Sequence, residues 1–175
     1  MNVRKATLDD LELLTLLYKK DGRKRLTPIM KYPLIDWIMK GPHLILIGEE
    51  EEPVGFMIIR IKGEESSIDV LSVARRYRGK IEYHFIKDAL EFVSTEKIFV
   101  TVPSNASRLI ETYKSLGFVV YDNVPDAFGK GRHGLKLLKR LQDTPKESRV
   151  IGGGVYKKPG DGYLEINLKN LDMVD

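Results

Sequence analysis

The chain has 175 residues and a mass of 20.0 kDa, which allows one domain with a substantial core and is too small for two large ones. Its content of 42% hydrophobic and 31% charged residues is that of an ordinary globular protein, and no apolar run is long enough to cross a bilayer. The absence of cysteine excludes disulfides and cysteine-based metal or nucleophilic sites. No apolar signal segment stands near Met1, so we expect a cytoplasmic protein.

The positive charge is clustered rather than large. The net charge is only +4, so an anionic partner has to be judged from local groups of Lys and Arg. Three such groups occupy residues 19–25, 75–80 and 130–140. The first and third are interpreted as solvated faces. A single glutamine beside many Lys, Glu and Ile is a bias typical of proteins from hot environments.

The chain begins with a predicted strand at residues 2–6, followed by a capped helix. Thr7 is a suitable N-cap, and Asp10 stands three residues later, where its carboxylate can cap in return. The helix runs to Tyr18 with leucines on one face, which predicts packing against a sheet. After the polar residues 19–25, Pro33 and Gly41 bracket a second predicted helix.

Three runs rich in β-branched residues then predict an antiparallel group of strands at residues 43–47, 54–61 and 66–73. A helix at 81–94 and a strand at 97–102 follow. Asn105 lies in a segment suited to capping a further helix, and Gly117 ends that helix before a strand at 118–122. Residues 134–141 stay open, because the leucine spacing there suits a helix.

A basic, glycine-containing turn joins the strand at 66–73 to the helix at 81–94. Gly79 stands among four cations at this junction: Arg75, Arg76, Arg78 and Lys80. Such a turn brings free backbone N–H groups, a positive helix end and cationic side chains together, and this combination binds phosphate groups.

The composition becomes polar and glycine-rich from about Asp143. We predict a domain at residues 1–142 and a C-terminal extension at 143–175, formed by a β-hairpin with its turn at 159–162. The triple glycine at 152–154 is interpreted as a flexible bend, because no helix follows it. The extension is a candidate surface for a homodimer.

Two motifs and the order of the elements resemble the GCN5-related N-acetyltransferase (GNAT) superfamily between residues 2 and 141. Residues 71–80 look like the family's acyl-CoA motif, a strand followed by Arg/Gln-x-x-Gly-x-Gly/Ala. Residues 105–118 look like its segment Asn…Leu-Tyr-x-x-x-Gly-Phe. The resemblance implies an α/β fold of the α+β type, with a mixed central sheet flanked by helices. It would make residues 134–141 a strand.

The same resemblance implies an enzyme that takes acetyl-CoA as co-substrate. The residues that match the family's cofactor-binding positions are Leu71, Ser72, Val73, Arg76, Arg78, Gly79, Lys80 and Asn105. Tyr113 matches the tyrosine that protonates the departing thiolate, and Asp69 stands where many members carry a Glu that acts as base. Core packing for Tyr113 and an ordinary strand position for Asp69 are the structural alternatives. No metal site is expected, because the histidines lack partners at ligand spacing.

The leading hypothesis is therefore an N-acetyltransferase that moves an acetyl group to a primary amine of a small molecule, a peptide or a protein. A second hypothesis is a GNAT-like binding or regulatory module without catalysis. Ile81 and Glu82 motivate it, because they stand where the family has a small residue and where phosphates would lie. A third, nucleic-acid binding, is disfavoured because aromatic interleaving is absent from the basic clusters at 19–25 and 130–140 and limited to Tyr77 in the cluster at 75–80.

Overall fold

A computed structural model describes residues 1–21, 42–141, 150–151 and 154–155. The chain divides into two compact units, Met1–Leu141 and Gln142–Asp175. The predicted helix between Pro33 and Gly41 and the predicted turn at 159–162 lie outside the described residues. In the second unit, Val150–Ile151 (β8) pairs antiparallel with Gly154–Val155 (β9).

The first unit contains one sheet, with three helices among its described residues. Its strands are β1 (Asn2–Lys5), β2 (His43–Glu49), β3 (Pro53–Lys62), β4 (Glu65–Val73), β5 (Lys97–Pro103), β6 (Val119–Val124) and β7 (Gly134–Arg140). The helices are α1 (Leu11–Asp21), α2 (Glu82–Leu90) and α3 (Ser107–Ser115), and short 3-10 turns cover Leu8–Asp10 and Arg75–Tyr77. Across this described part of the chain, no helix is both long and apolar enough to span a membrane.

The sheet is mixed. Its seven strands follow the order β1-β2-β3-β4-β5-β7-β6, and every neighbouring pair is antiparallel except β4 and β5, which are parallel. The two parallel strands are joined through the basic turn and α2, since a parallel pair needs a crossover connection. The predicted α+β class with a mixed central sheet is confirmed.

Helices cover both faces of the sheet. One hydrophobic cluster joins α1 to β2, β3 and β4, with Leu14 and Leu17 packed near Phe56 and Ile58. The other joins α2 and α3 to the opposite face, and it includes Phe85, Ile86, Ile110 and Tyr113. Because alternate residues of a strand point to opposite faces, Met57 and Ile59 belong to this second cluster.

A β-bulge interrupts β4 at Asp69. Ile58 pairs with Val70, and its neighbour Ile59 pairs with Ile68, so Asp69 is the extra residue in the ladder between β3 and β4. The bulge changes the face of the following side chains: Ile68 packs on the α2/α3 side, whereas Val70 packs on the α1 side. Residues 71–73 then carry their side chains on faces opposite to those that an uninterrupted strand would give.

The parallel ladder between β4 and β5 ends at the same place. The last paired residues are Ile68 and Val100, although β4 continues to Val73 and β5 to Pro103. The two strands therefore part after the bulge and leave a gap between their carboxyl-terminal ends.

Two details differ from the sequence-based expectations, and a third settles an assignment that the leucine spacing left open. α2 ends at Leu90 rather than 94, because the N–H groups of Phe92 and Val93 bond three residues back and close tight turns that place Val93 in the core. α3 begins after Ala106, without a side-chain cap from Asn105. Residues 134–140 form β7, the strand that the resemblance implied, since β5 and β6 both pair with them.

Candidate functional site

A cleft of about 740 Å³ opens beside the end of β4. One wall is formed by Leu71, the turn at residues 78–80 and the start of α2 at residues 82–83. The other wall is formed by residues 105–109 and Thr112, which belong to the β5–α3 connection and to α3. The cleft therefore lies between the two helices that cover one face of the sheet.

The fold brings together five of the eight residues predicted to bind the cofactor. Three separate segments contribute them, and together they line the cleft: Leu71, Arg78, Gly79, Lys80 and Asn105. The basic turn and the segment around Asn105 are about thirty residues apart in sequence and form opposite walls of this one cleft.

The other three predicted residues lie elsewhere. Ser72 and Val73 are the last two residues of β4, and they are buried, with exposed fractions of 1% and 0%. Arg76 points away from the cleft lining, where it forms an ion pair with Glu52 and lies 4.8 Å above the Tyr77 ring.

Gly79 has a backbone conformation that favours glycine. Its φ is +72°, in the left-handed region, and a Cβ added there would collide with the Arg108 guanidinium. Both backbone polar groups of Gly79 are engaged by side chains. The N–H donates to Glu82 Oε1 at 2.7 Å, and Arg108 Nη2 donates to the carbonyl oxygen.

Arg78 ties the turn to the strand that precedes it. Its Nε donates to the carbonyl oxygen of Val73 at 3.2 Å. On the other edge, the Ala74 N–H donates to Val54 O on β3 at 2.8 Å. Because successive N–H groups of an extended chain point to opposite edges, the Val73 N–H points toward the β5 side, where the gap lies.

Arg108 is a site residue that the sequence analysis missed. It lies in the first turn of α3, three residues after Asn105, and reaches across the cleft to the turn that contains Gly79. The only signal available in the sequence was a cation at the start of the helix that follows a motif residue. Its contact with the opposite wall depends on how α2 and α3 pack.

Tyr113 is buried in the hydrophobic cluster and is not among the residues that line the cleft. Its exposed fraction is 1%, and its ring makes an edge contact with Phe118 at 5.0 Å between centroids. The N–H groups of Gly117 and Phe118 donate to the carbonyls of Lys114 and Tyr113, which is a Schellman motif with its hydrophobic contact. The Tyr-x-x-x-Gly-Phe pattern thus has a structural role in ending α3.

Asp69 lies on the other side of the sheet from the cleft. It forms an ion pair with Arg60 at 3.1 Å and accepts a hydrogen bond from Ser67 Oγ at 2.7 Å. Arg60 lies two residues after Ile58 on β3, so it shares the face that α1 covers. Asp69 is thus placed at the start of the gap between β4 and β5, with its carboxylate directed to the α1 face.

The described residues contain no group of three or more His, Asp or Glu side chains that could hold a metal ion.

Comparisons with known proteins gave matches among solved structures. No protein-family model and no curated protein matches the chain. A variant of spermidine N-acetyltransferase SpeG from Vibrio cholerae matches with a TM-score of 0.67 and 14% identity, over 80% of this chain and 95% of that one. Ribosomal-protein-alanine N-acetyltransferase from Brucella melitensis matches with a TM-score of 0.64 and 20% identity, over 81% and 100%.

A third match is an acetyltransferase of the GNAT family from Streptococcus pneumoniae, with a TM-score of 0.66 and 14% identity, over 81% of this chain and 99% of that one. Identities of this size show a shared fold. The GNAT fold predicted from the two motifs is confirmed.

Proposed function

We propose that this chain, which has the GNAT fold, is an N-acetyltransferase that moves an acetyl group from acetyl-CoA to a primary amine. The observation that carries the proposal is the gap between β4 and β5, whose ladder ends at Ile68 and Val100. An acyl donor needs an opening of this kind, because a continuous ladder would separate it from an acceptor on the other face. The gap lies beside a cleft lined by cations.

The cleft supplies the groups that a CoA molecule needs. Arg78, Lys80 and Arg108 place positive charge around the turn, where the diphosphate would be bound. The pantetheine arm would follow Leu71 toward the gap, with Ser72 and Val73 as its backbone partners and Asn105 on the facing wall. Arg76 can contribute only if its guanidinium leaves Glu52.

The reaction requires a neutral amine. A lysine-like amine has a pKa about three units above neutral pH, so deprotonation costs roughly 4–5 kcal/mol unless the site assists. We assign that assistance to Asp69, which lies at the mouth of the gap on the face opposite the cleft. Arg60 and Ser67 hold its carboxylate there, and the amine proton would pass through a water molecule to that carboxylate, which becomes protonated.

The remaining steps fall to the end of β4 and to Tyr113. The amine nitrogen attacks the thioester carbon, and the Val73 N–H, directed to the gap side, would polarise the carbonyl oxygen. The carbon–sulfur bond then breaks, and the Tyr113 hydroxyl would protonate the thiolate. A phenol with a pKa of about 10 is suited to that transfer, because the basicities of the two groups are similar.

The acceptor is assigned only by class. The structural neighbours are described as acetyltransferases of spermidine and of a ribosomal-protein alanine, so amines of small molecules and of polypeptides are both represented in this fold. We propose a small-molecule or peptide amine as the acceptor.

The proposal is tested by cofactor binding and by thiol release. Titration calorimetry with acetyl-CoA should give a measurable Kd, and a panel of polyamines, amino acids and peptides should include one that releases CoA thiol. The chain contains no cysteine, so a thiol reagent reads the product without a protein background. Asp69→Asn should reduce turnover by about a hundredfold and leave the Kd for acetyl-CoA unchanged, whereas Asp122→Asn, an exposed carboxylate on β6, should change neither.

A second candidate function is a binding or regulatory module without catalysis. The hydrogen bond from Gly79 N–H to Glu82 favours it, because the carboxylate accepts an N–H group that a phosphate would otherwise bind. Absence of heat with acetyl-CoA at millimolar concentration would support this module and contradict the transferase.

A further inference from the structure

We infer that Glu82 is an internal anion that occupies the phosphate position of the basic turn, so that a CoA diphosphate binds only by displacing it. This inference rests on the proposed function for the identity of the ligand. It assigns to one residue of this chain control over how tightly the cofactor is held.

The contacts of the Glu82 carboxylate are those of a bound anion. Oε1 accepts the Gly79 N–H at 2.7 Å, within the turn that the cations surround. Oε2 is buried and has no hydrogen-bond partner among the described residues. Burial of a carboxylate oxygen without a hydrogen-bond partner costs free energy, so a ligand anion that is a better acceptor for the Gly79 N–H can displace the Glu82 carboxylate.

The bond is not an ordinary helix cap. Glu82 is the first residue of α2, and Ile81 is the N-cap, without a capping side chain. The Gly79 N–H lies outside the helix, in the turn before it. The Glu82 side chain therefore reaches back to the Gly79 N–H, which is not one of the N–H groups of α2 that need a capping partner.

Arg108 binds the same turn from the opposite wall of the cleft. Its guanidinium donates to the carbonyl oxygen of Gly79, and the Glu82 carboxylate accepts the Gly79 N–H. Side chains of α3 and α2 therefore bind the two backbone polar groups of the same residue. Arg108 thereby links the two walls of the cleft. An incoming diphosphate would take the Gly79 N–H from Glu82 and offer its oxygens to Arg108, whereas a ligand without phosphate would gain nothing from either exchange.

Substitution of Glu82 tests the competition. The variants Glu82→Ala and Glu82→Gln are titrated with CoA and with pantetheine, which lacks the diphosphate. Glu82→Ala should bind CoA about tenfold more tightly than the original chain, since a like charge is removed from the phosphate position. Glu82→Gln keeps the shape of the side chain and loses its charge, so its CoA affinity should lie between those of the original chain and Glu82→Ala. The affinity for pantetheine should stay within about twofold in every variant.

Glu91→Gln is the matched control. It removes one exposed carboxylate at the other end of the same helix, so it reports the effect of total charge and should leave the CoA affinity unchanged. Circular dichroism and thermal unfolding of each variant establish that the fold is retained.

The outcomes separate the two proposals. Equal CoA affinity in the original chain and in both Glu82 variants overturns the competition and leaves the transferase proposal intact. Weaker CoA binding, or equal tightening for pantetheine, also overturns it, because Glu82 would then support the turn or block the cleft by size. Failure of every variant to bind CoA overturns both.

Discussion

Tyr113 combines a packing role with a proposed chemical one. Its ring is buried against Phe118, where the chain leaves α3 through Gly117. Its hydroxyl is the proposed acid for the departing thiolate. A substitution that keeps the ring and removes the oxygen therefore separates the two roles.

Tyr113→Phe should lower kcat by about a hundredfold, because the thiolate loses its proton donor. The Kd for acetyl-CoA should stay within about twofold, and the free energy of unfolding should change by about 1 kcal/mol or less, since the ring contact remains. Steady-state thiol release, calorimetry and urea unfolding measure the three quantities. Tyr121→Phe removes an exposed phenol on β6 and is the control. Unchanged turnover would remove Tyr113 from the mechanism.

Among the elements, the first helical turn is held to two strands by one ionic cluster. Arg4 on β1 donates to both Asp10 carboxylate oxygens at 2.8 Å and to Glu49 on β2 at 2.9 Å. Asp10 also accepts the Thr7 N–H at 2.8 Å, as predicted from the Thr7–Asp10 spacing. Hydrogen bonds from Arg4, the largest influence, hold the pKa of Asp10 well below its usual range.

This cluster makes stability depend on pH in one direction. A lowered pKa in the folded state stabilises the fold at every pH above the unfolded value, and the contribution is lost as the pH falls below about 4 toward the folded pKa. Asp10→Asn should therefore lower the free energy of unfolding by about 2 kcal/mol at pH 7. Urea unfolding should show a smaller difference between the two chains near pH 2.5, where part of this contribution is already lost.

Asp9→Asn is the control for this prediction, because Asp9 is the exposed neighbouring carboxylate. It should be nearly neutral at both pH values. A difference between Asp10→Asn and the original chain that is the same at pH 7 and pH 2.5 would show that the ionised carboxylate is not what stabilises this turn.

In the whole molecule, one compact unit carries the sheet and the cleft. The described members of both hydrophobic clusters precede residue 142, and all seven strands of the sheet lie in Met1–Leu141. This unit therefore has its own hydrophobic core.

A chain that ends at Leu141 should therefore fold, with a cooperative thermal transition by circular dichroism and the same acetyl-CoA affinity as the full chain. The C-terminal extension is the surface that we predict to form a homodimer. Light scattering after size exclusion should then report a dimer for the full chain and a monomer for the shortened one. A full chain that is monomeric would show that the predicted dimer is wrong, and an aggregated short chain would contradict the independence of the first unit.

Some features were encoded within a few neighbouring residues, and those could be predicted. Thr7 and Asp10 cap one turn, and Gly117 adopts a φ of +85° that ends α3, because such motifs depend on local backbone and side-chain geometry. The β-branched runs predicted β2, β3 and β4 for a similar reason. The order of the elements together with the two motifs around Gly79 and Tyr113 indicated the fold, although it did not place the side chains of those motifs.

Only the tertiary structure decided the remaining features. The leucines of residues 134–140 suit either a helix or a strand, and pairing with β5 and β6 selected the strand. The bulge at Asp69 and the gap that follows depend on the register of two other strands. The contact of Arg108 with Gly79 depends on the packing of two helices. The physical reason is that capping and periodicity act within one segment, whereas register and side-chain placement depend on which distant segment lies alongside.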